Sequence, residues 1–76
     1  MQKSTISISN IERARAFVAM TNKHPGLKLM LHEDEYDIDA HSIIGILSLD
    51  LSKPLELRID GDIDDSFLAD LAPYTV

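Results

Sequence analysis

Four separated stretches of the chain place an apolar residue at every second position, the period of strands with one buried face. Ile6 and Ile8 alternate with polar neighbours across residues 5–9. Leu27, Leu29 and Leu31 alternate with Lys28, Met30 and His32, and Tyr36, Ile38 and Ala40 alternate with acids. Leu55, Leu57 and Ile59 alternate with Glu56, Arg58 and Asp60. Glu33-Asp34-Glu35 separates the second and third runs and predicts the turn of a hairpin.

Three helical patterns fill the gaps. Ser9-Asn10-Ile11-Glu12 has the spacing of a capping box, a hydroxyl residue followed three positions later by glutamate. The helix it opens puts Ile11, Ala14, Val18 and Thr21 near one face, with Phe17 and Met20 beside them, and His24-Pro25-Gly26 stops it. Ser42 stands as N-cap before a short apolar helix from Ile43 to Leu49. Asp62, Asp64 and Asp65 favour the N-terminus of a last helix with Phe67, Leu68 and Leu71 as its stripe, ended by Pro73. The order is β-α-β-β-α-β-α. One-faced strands with amphipathic helices predict an α+β fold, a four-stranded antiparallel sheet with its helices packed on one face.

With 76 residues the chain has room for one domain, 1–76, and without cysteine neither a disulfide nor a thiolate zinc site can reinforce it. An aliphatic core must hold it together. The first residues show no apolar signal core, and Ile43-Ile44-Gly45-Ile46-Leu47, the longest apolar run, is far too short to span a bilayer. The expectation is a soluble, cytoplasmic protein with no membrane insertion. Net charge is −6, but residues 1–32 hold five basic residues against one acid, and residues 33–76 hold two against twelve. So acidic a chain is unsuited to nucleic acid, where many phosphates must be neutralised. Its basic N-terminal third suits an acidic protein surface.

His41-Ser42-Ile43-Ile44-Gly45-Ile46-Leu47-Ser48-Leu49 resembles the Lys-Ser-Ile-Met-Gly-Val-Met-Ser-Leu segment of the HPr family, the small phosphocarriers of the bacterial sugar phosphotransferase system. Phe17-Val18 and Ile59-Asp60-Gly61 fall where that family carries similar residues, and element order and length agree across almost the whole chain. The resemblance implies the HPr-like open-faced sandwich. It departs at the chemistry. Family phosphocarriers have Gly-Ile/Leu-His-x-Arg-Pro ahead of the first helix. Alignment through Phe17 puts Asn10 at the histidine, Glu12 at the arginine and Arg13 at the proline. A carboxamide is not nucleophilic enough to accept a phosphoryl group, and Glu12 would repel one.

The resemblance therefore implies a non-catalytic interaction or regulatory module in sugar transport or carbon catabolite regulation. Its partner would be a phosphotransferase-system component or a transcriptional regulator, met through Asn10, Glu12, Arg13, Ile43, Ile46 and Leu47. Two alternatives stay open. Ser42 matches a serine that a kinase modifies in some family members, which would make the chain a serine-switch regulator; its plainer role is an N-cap. The other alternative is a divergent phosphocarrier using another residue.

The remaining motifs add little chemistry. His24 and His32 read as solvated side chains rather than metal ligands, and His32-Glu33-Asp34-Glu35 splays its donors along a hairpin. Asp60-Gly61-Asp62-Ile63-Asp64 imitates the opening of a calcium loop, but Asp65 and Leu71 stand where glycine and glutamate are required. Arg13 and Arg15 could hold an anion at a helix start, though solvated arginines are the commoner case. Neither metal, cofactor nor intrinsic enzyme activity is expected.

Overall fold

A computed structural model describes residues 2–76; Met1 lies outside the described residues. The elements run β1 (Gln2–Ile6), α1 (Ile11–Thr21), β2 (Lys28–Glu33), β3 (Tyr36–Asp39), α2 (Ile43–Leu47), β4 (Leu55–Asp60) and α3 (Asp65–Leu71), closed by a 3-10 turn (Ala72–Tyr74). The four strands form one antiparallel sheet in the order β1-β4-β2-β3. This is the expected α+β fold.

Register explains how the alternation becomes a core. Leu57 lies opposite Leu31 on one side and Ser4 on the other, Ile59 opposite Leu29, and Leu55 opposite Ile6. Directly opposed residues share a face, so the aliphatic positions of β4, β2 and β1 point the same way. Phe17 and Met20 from α1, Ile46 from α2, and Phe67 and Leu71 from α3 are buried with them. The other face carries Lys3, Lys28, His32, Glu56 and Arg58. Charges of both signs are paired there: Arg58 donates to Glu56 at 2.7 Å and to Asp37 at 3.4 Å, while His32 meets Asp37 at 2.8 Å.

Local details differ from the sequence expectations, each for an identifiable reason. The first strand starts at Gln2 and leaves the sheet after Ile6, so Ile8 is fully buried from the connection rather than from a strand. Asn10, not Ser9, caps α1: its Oδ1 accepts the Arg13 amide at 2.8 Å, while Ser9 sits at φ 67°. The helix ends at Thr21, before His24-Pro25-Gly26, because the amides of Lys23 and His24 turn to the carbonyls three residues back. For the same reason α2 closes at Leu47 instead of Leu49, with Ser48 and Leu49 bonded to Gly45 and Ile46. The hairpin turn narrows to Asp34 and Glu35, with Asp34 at φ 52° and Glu33 paired in β2.

Three expected core positions are exposed: Tyr36, at the start of the edge strand β3, is 64% exposed, and two helical positions join it. Ile11 is 56% exposed and Leu68 51%, each off the side of its helix that is buried, which carries Ala14, Phe17 and Met20 in α1 and Phe67 and Leu71 in α3. His24, expected to be solvated, has a side chain only 11% exposed. Its Nε2 meets Asp70 at 2.9 Å, and its ring stands edge-on to Phe67 with centroids 5.1 Å apart.

Gly45 packs α2 against the hairpin at Ile38. A Cβ built there would stand 2.5 Å from the Ile38 Cγ2, on a β-branched side chain with little freedom to turn away. Gly45→Ala is therefore expected to lower the unfolding free energy by about 1–3 kcal/mol despite alanine's better helix propensity. Urea denaturation checks this, and Ile38→Ala in the same chain should recover part of the loss. On the open face, the Arg58 hydrogen bond holds the Glu56 carboxyl below its ordinary 4.5, against a smaller opposing effect of desolvation. A depressed folded-state pKa means the pair's contribution is complete above about that ordinary value and is lost as pH falls through the lower one. Arg58→Met should return Glu56 to the usual carboxylate range in an NMR titration.

Candidate functional site

The residues singled out for function lie on α1 and α2, which pack against each other, and on the connections that reach their starts. The β1–α1 connection must turn the chain from sheet edge to helix within four residues. It does so through Ser9 in the left-handed region, a conformation that costs a non-glycine residue about 1–2 kcal/mol and needs outside support. That support is visible on both sides. The Ser9 amide donates to the Leu51 carbonyl at 3.1 Å, tying the connection to the loop after α2. The Asn10 amide donates to Ile8 at 2.9 Å.

The loop after α2 is itself braced. The Asp50 carboxylate accepts from the Ser52 hydroxyl at 2.5 Å and from its amide at 3.0 Å. Those two bonds, the hydroxyl's first, hold Asp50 below its ordinary 3.8.

Each candidate now has a place. Asn10 is exposed, but its side-chain oxygen is engaged by the Arg13 amide. Glu12 is exposed in the first turn, where its charge complements the helix dipole. Arg13, considered above as a solvated arginine or an anion holder, is half-buried and turned inward. Its Nε donates to Ile8 at 3.1 Å, and its Nη2 to Pro73 at 2.9 Å and Ser7 at 3.3 Å. On α2, Ser42 caps the helix, its Oγ accepting the Gly45 amide at 3.2 Å.

The apolar candidates divide by helical geometry. Ile46 is 0% exposed and belongs to the core, so it offers no side chain to a partner; Ile43 is half-buried against the same core. Leu47 is 42% exposed and Ile44 81% exposed. The apolar spacing places Ile11 inside and leaves Ile44 without a role. The spacing of three held the signal: 43 and 46 share one face of the helix, and 44 and 47 share another. Which pair faces the sheet is decided by packing, and that was not legible. The structure brings Ile11, Ile44 and Leu47 into view as apolar side chains on the two helices, beside a helix start whose polar groups are already partnered.

The chemistry available here is limited. The capping carboxamide is not a nucleophile, and no histidine precedes His24 in the sequence. His24 is held by Asp70, His32 by Asp37, and His41 lies 3.3 Å from the Leu27 carbonyl. Among the described residues, no group of three or more histidine, aspartate or glutamate side chains is arranged to hold a metal ion, and no helix is long and apolar enough to cross a membrane.

An antiparallel β1-β4-β2-β3 sheet with three helices on its aliphatic face defines the α+β open-faced sandwich class. Within that class the chain is similar to the crystal structure of HPr-C-His from Thermoanaerobacter tengcongensis, with a TM-score of 0.77 and 28% identity over 96% of this chain and 89% of that one. The chain is an HPr-like protein. No family model and no curated protein matches it.

The cap gives a direct test of how α1 starts. Asn10→Ala should cost about 1 kcal/mol of stability, while Asn10→Asp, which keeps the acceptor and adds charge at the positive end of the helix, should cost little or nothing. Thermal or urea denaturation of the two variants side by side separates them.

Proposed function

We propose that this HPr-like chain, related by its fold to the phosphocarriers of the phosphotransferase system, is a non-catalytic interaction module of that system or of the carbon regulation linked to it. The observation that carries this reading is the state of Asn10. At the position aligned with the carrier histidine there is a carboxamide, and its oxygen is spent on the Arg13 amide. Neither nitrogen nor oxygen there can form the labile phosphoryl bond that a carrier needs. Arg13, the basic residue nearest this position, directs its donors at backbone carbonyls and supplies no anion pocket.

A surface for partners supports the same reading. Ile11, Ile44 and Leu47 expose large aliphatic groups on the helices through which HPr proteins dock. Exposed apolar groups on paired helices suit a protein partner better than a small polar substrate. A cytoplasmic partner from the phosphotransferase system, or a transcriptional regulator, is the proposed ligand.

Incubation with phosphoenolpyruvate and the system's first enzyme, followed by intact mass measurement at neutral and acidic pH, tests the absence of carriage. No acid-labile phosphate adduct is expected. Such an adduct would overturn the reading in favour of a divergent carrier. In parallel, Ile44→Glu with Leu47→Glu should abolish capture of phosphotransferase-system proteins by the immobilised chain while leaving its unfolding free energy within about 0.5 kcal/mol, as exposed positions allow. Stable kinase-dependent phosphate on the wild type, absent from Ser42→Ala, would assign the chain to the serine-switch class instead.

A further inference from the structure

We propose that Arg13 is a positioning residue, a clasp that couples the shape of the β1–α1 connection to the docking of the C-terminal residues 73–76. Its consequence for binding rests on the reading of the α1 and α2 face given above.

The clasp is built from two backbone segments far apart in sequence. When the chain leaves β1, the carbonyls of Ser7 and Ile8 have no strand partner, and Ile8 is met locally by the Asn10 amide at 2.9 Å. Arg13, three residues into the helix from its cap, supplies the donors: Nε to Ile8 at 3.1 Å and Nη2 to Ser7 at 3.3 Å. The same Nη2 reaches the Pro73 carbonyl at 2.9 Å, sixty residues away. The guanidinium carbon lies 4.8 Å from the centre of the Tyr74 ring, within range of a cation–π contact. Tyr74 in turn meets Phe17 edge-on at 5.1 Å, and its carbonyl accepts the Ser7 amide at 2.8 Å. Thr75 bridges to Ile6, and the Val76 amide donates to Thr5 at 3.2 Å.

Charge alone cannot do this. A planar fork satisfies several acceptors from one fixed geometry, whereas a lysine ammonium on a flexible stem is a point charge that satisfies fewer. Ser9 depends on the result, since its left-handed backbone is maintained only while the flanking residues are held. Loosening the C-terminal turn must therefore loosen the segment that carries Asn10 and Ile11. The converse follows, because coupling between two sites is reciprocal.

Amide hydrogen exchange by NMR tests the clasp on the full chain without any partner, so a failed capture experiment bears on the docking reading and not on this one. Two amides report: Asn10 for the connection and Ser7 for the docked Tyr74. Leu57, in the centre of the sheet, reports global opening. Arg13→Lys should accelerate exchange at both Asn10 and Ser7 by roughly tenfold, beyond any change at Leu57, as loss of charge-assisted hydrogen bonds to part-buried and exposed carbonyls implies. Tyr74→Leu, made at the other end, should accelerate Asn10 as well. Should that core variant fail to fold, Arg13→Lys decides the matter alone. Acceleration at Asn10 without Ser7, acceleration equal at all three amides, or no acceleration would each overturn the coupling.

Discussion

Burial of the aliphatic face of β4 is the constraint around which the other elements are arranged. Leu55, Leu57 and Ile59 lie in a strand paired on both sides, opposite Ile6 of β1 and Leu29 and Leu31 of β2. Their side chains can leave water only if something covers that face, and with 76 residues and no cysteine the cover must be helices rather than cross-links. Phe17, Ile46 and Phe67, each fully buried, come from three different helices, so every helix contributes at least one large side chain to a single shared core. Fully burying each is worth about 1.5–3 kcal/mol, a large share of the net stability of a domain this small. Helix lengths of eleven, five and seven residues are too short to persist alone, so the packing stabilises the helices as much as they stabilise the sheet.

The helix starts show a second economy. Asn10, Ser42 and Asp64 each accept the amide three residues ahead. The polar side chains that a functional reading would choose first are thereby employed in folding. A capping oxygen is oriented by its helix and remains near the surface, which makes caps easy to mistake for reactive groups. Here the distinction matters most at Asn10, an exposed side chain whose oxygen is already engaged by the Arg13 amide. Arg13 follows the same logic, since its donors serve carbonyls released when β1 ends.

Much of the fold was legible because period-two and period-three-to-four patterns report local geometry directly. Leu27, Leu29, Leu31, Leu55, Leu57 and Ile59 are all buried as their alternation required, and Ser42 caps α2 as its position required. Failures gathered where local rules left two choices. Ser9 and Asn10 are both competent caps, and the departure from β1 through φ 67° selected Asn10. Ile11 and Leu68 fit an apolar stripe when counted along the chain, yet the packing of each helix buries a different side, with Phe17 and Met20 in α1 and Phe67 and Leu71 in α3. His24 looked like a solvated loop residue because nothing near it in sequence announces Asp70 or Phe67.

By itself, then, the sequence determined strand faces, the order of elements, the resemblance to HPr and the absence of a histidine ahead of α1. Those are properties of single residues and of spacings within a few positions. The tertiary structure alone decided that Ile46 is core while Ile44 is surface, and that Arg13 is a clasp rather than a free cation. Each of those outcomes depends on a segment distant along the chain, and Pro73, sixty residues from Arg13, leaves no trace in the local pattern of charge and hydrophobicity.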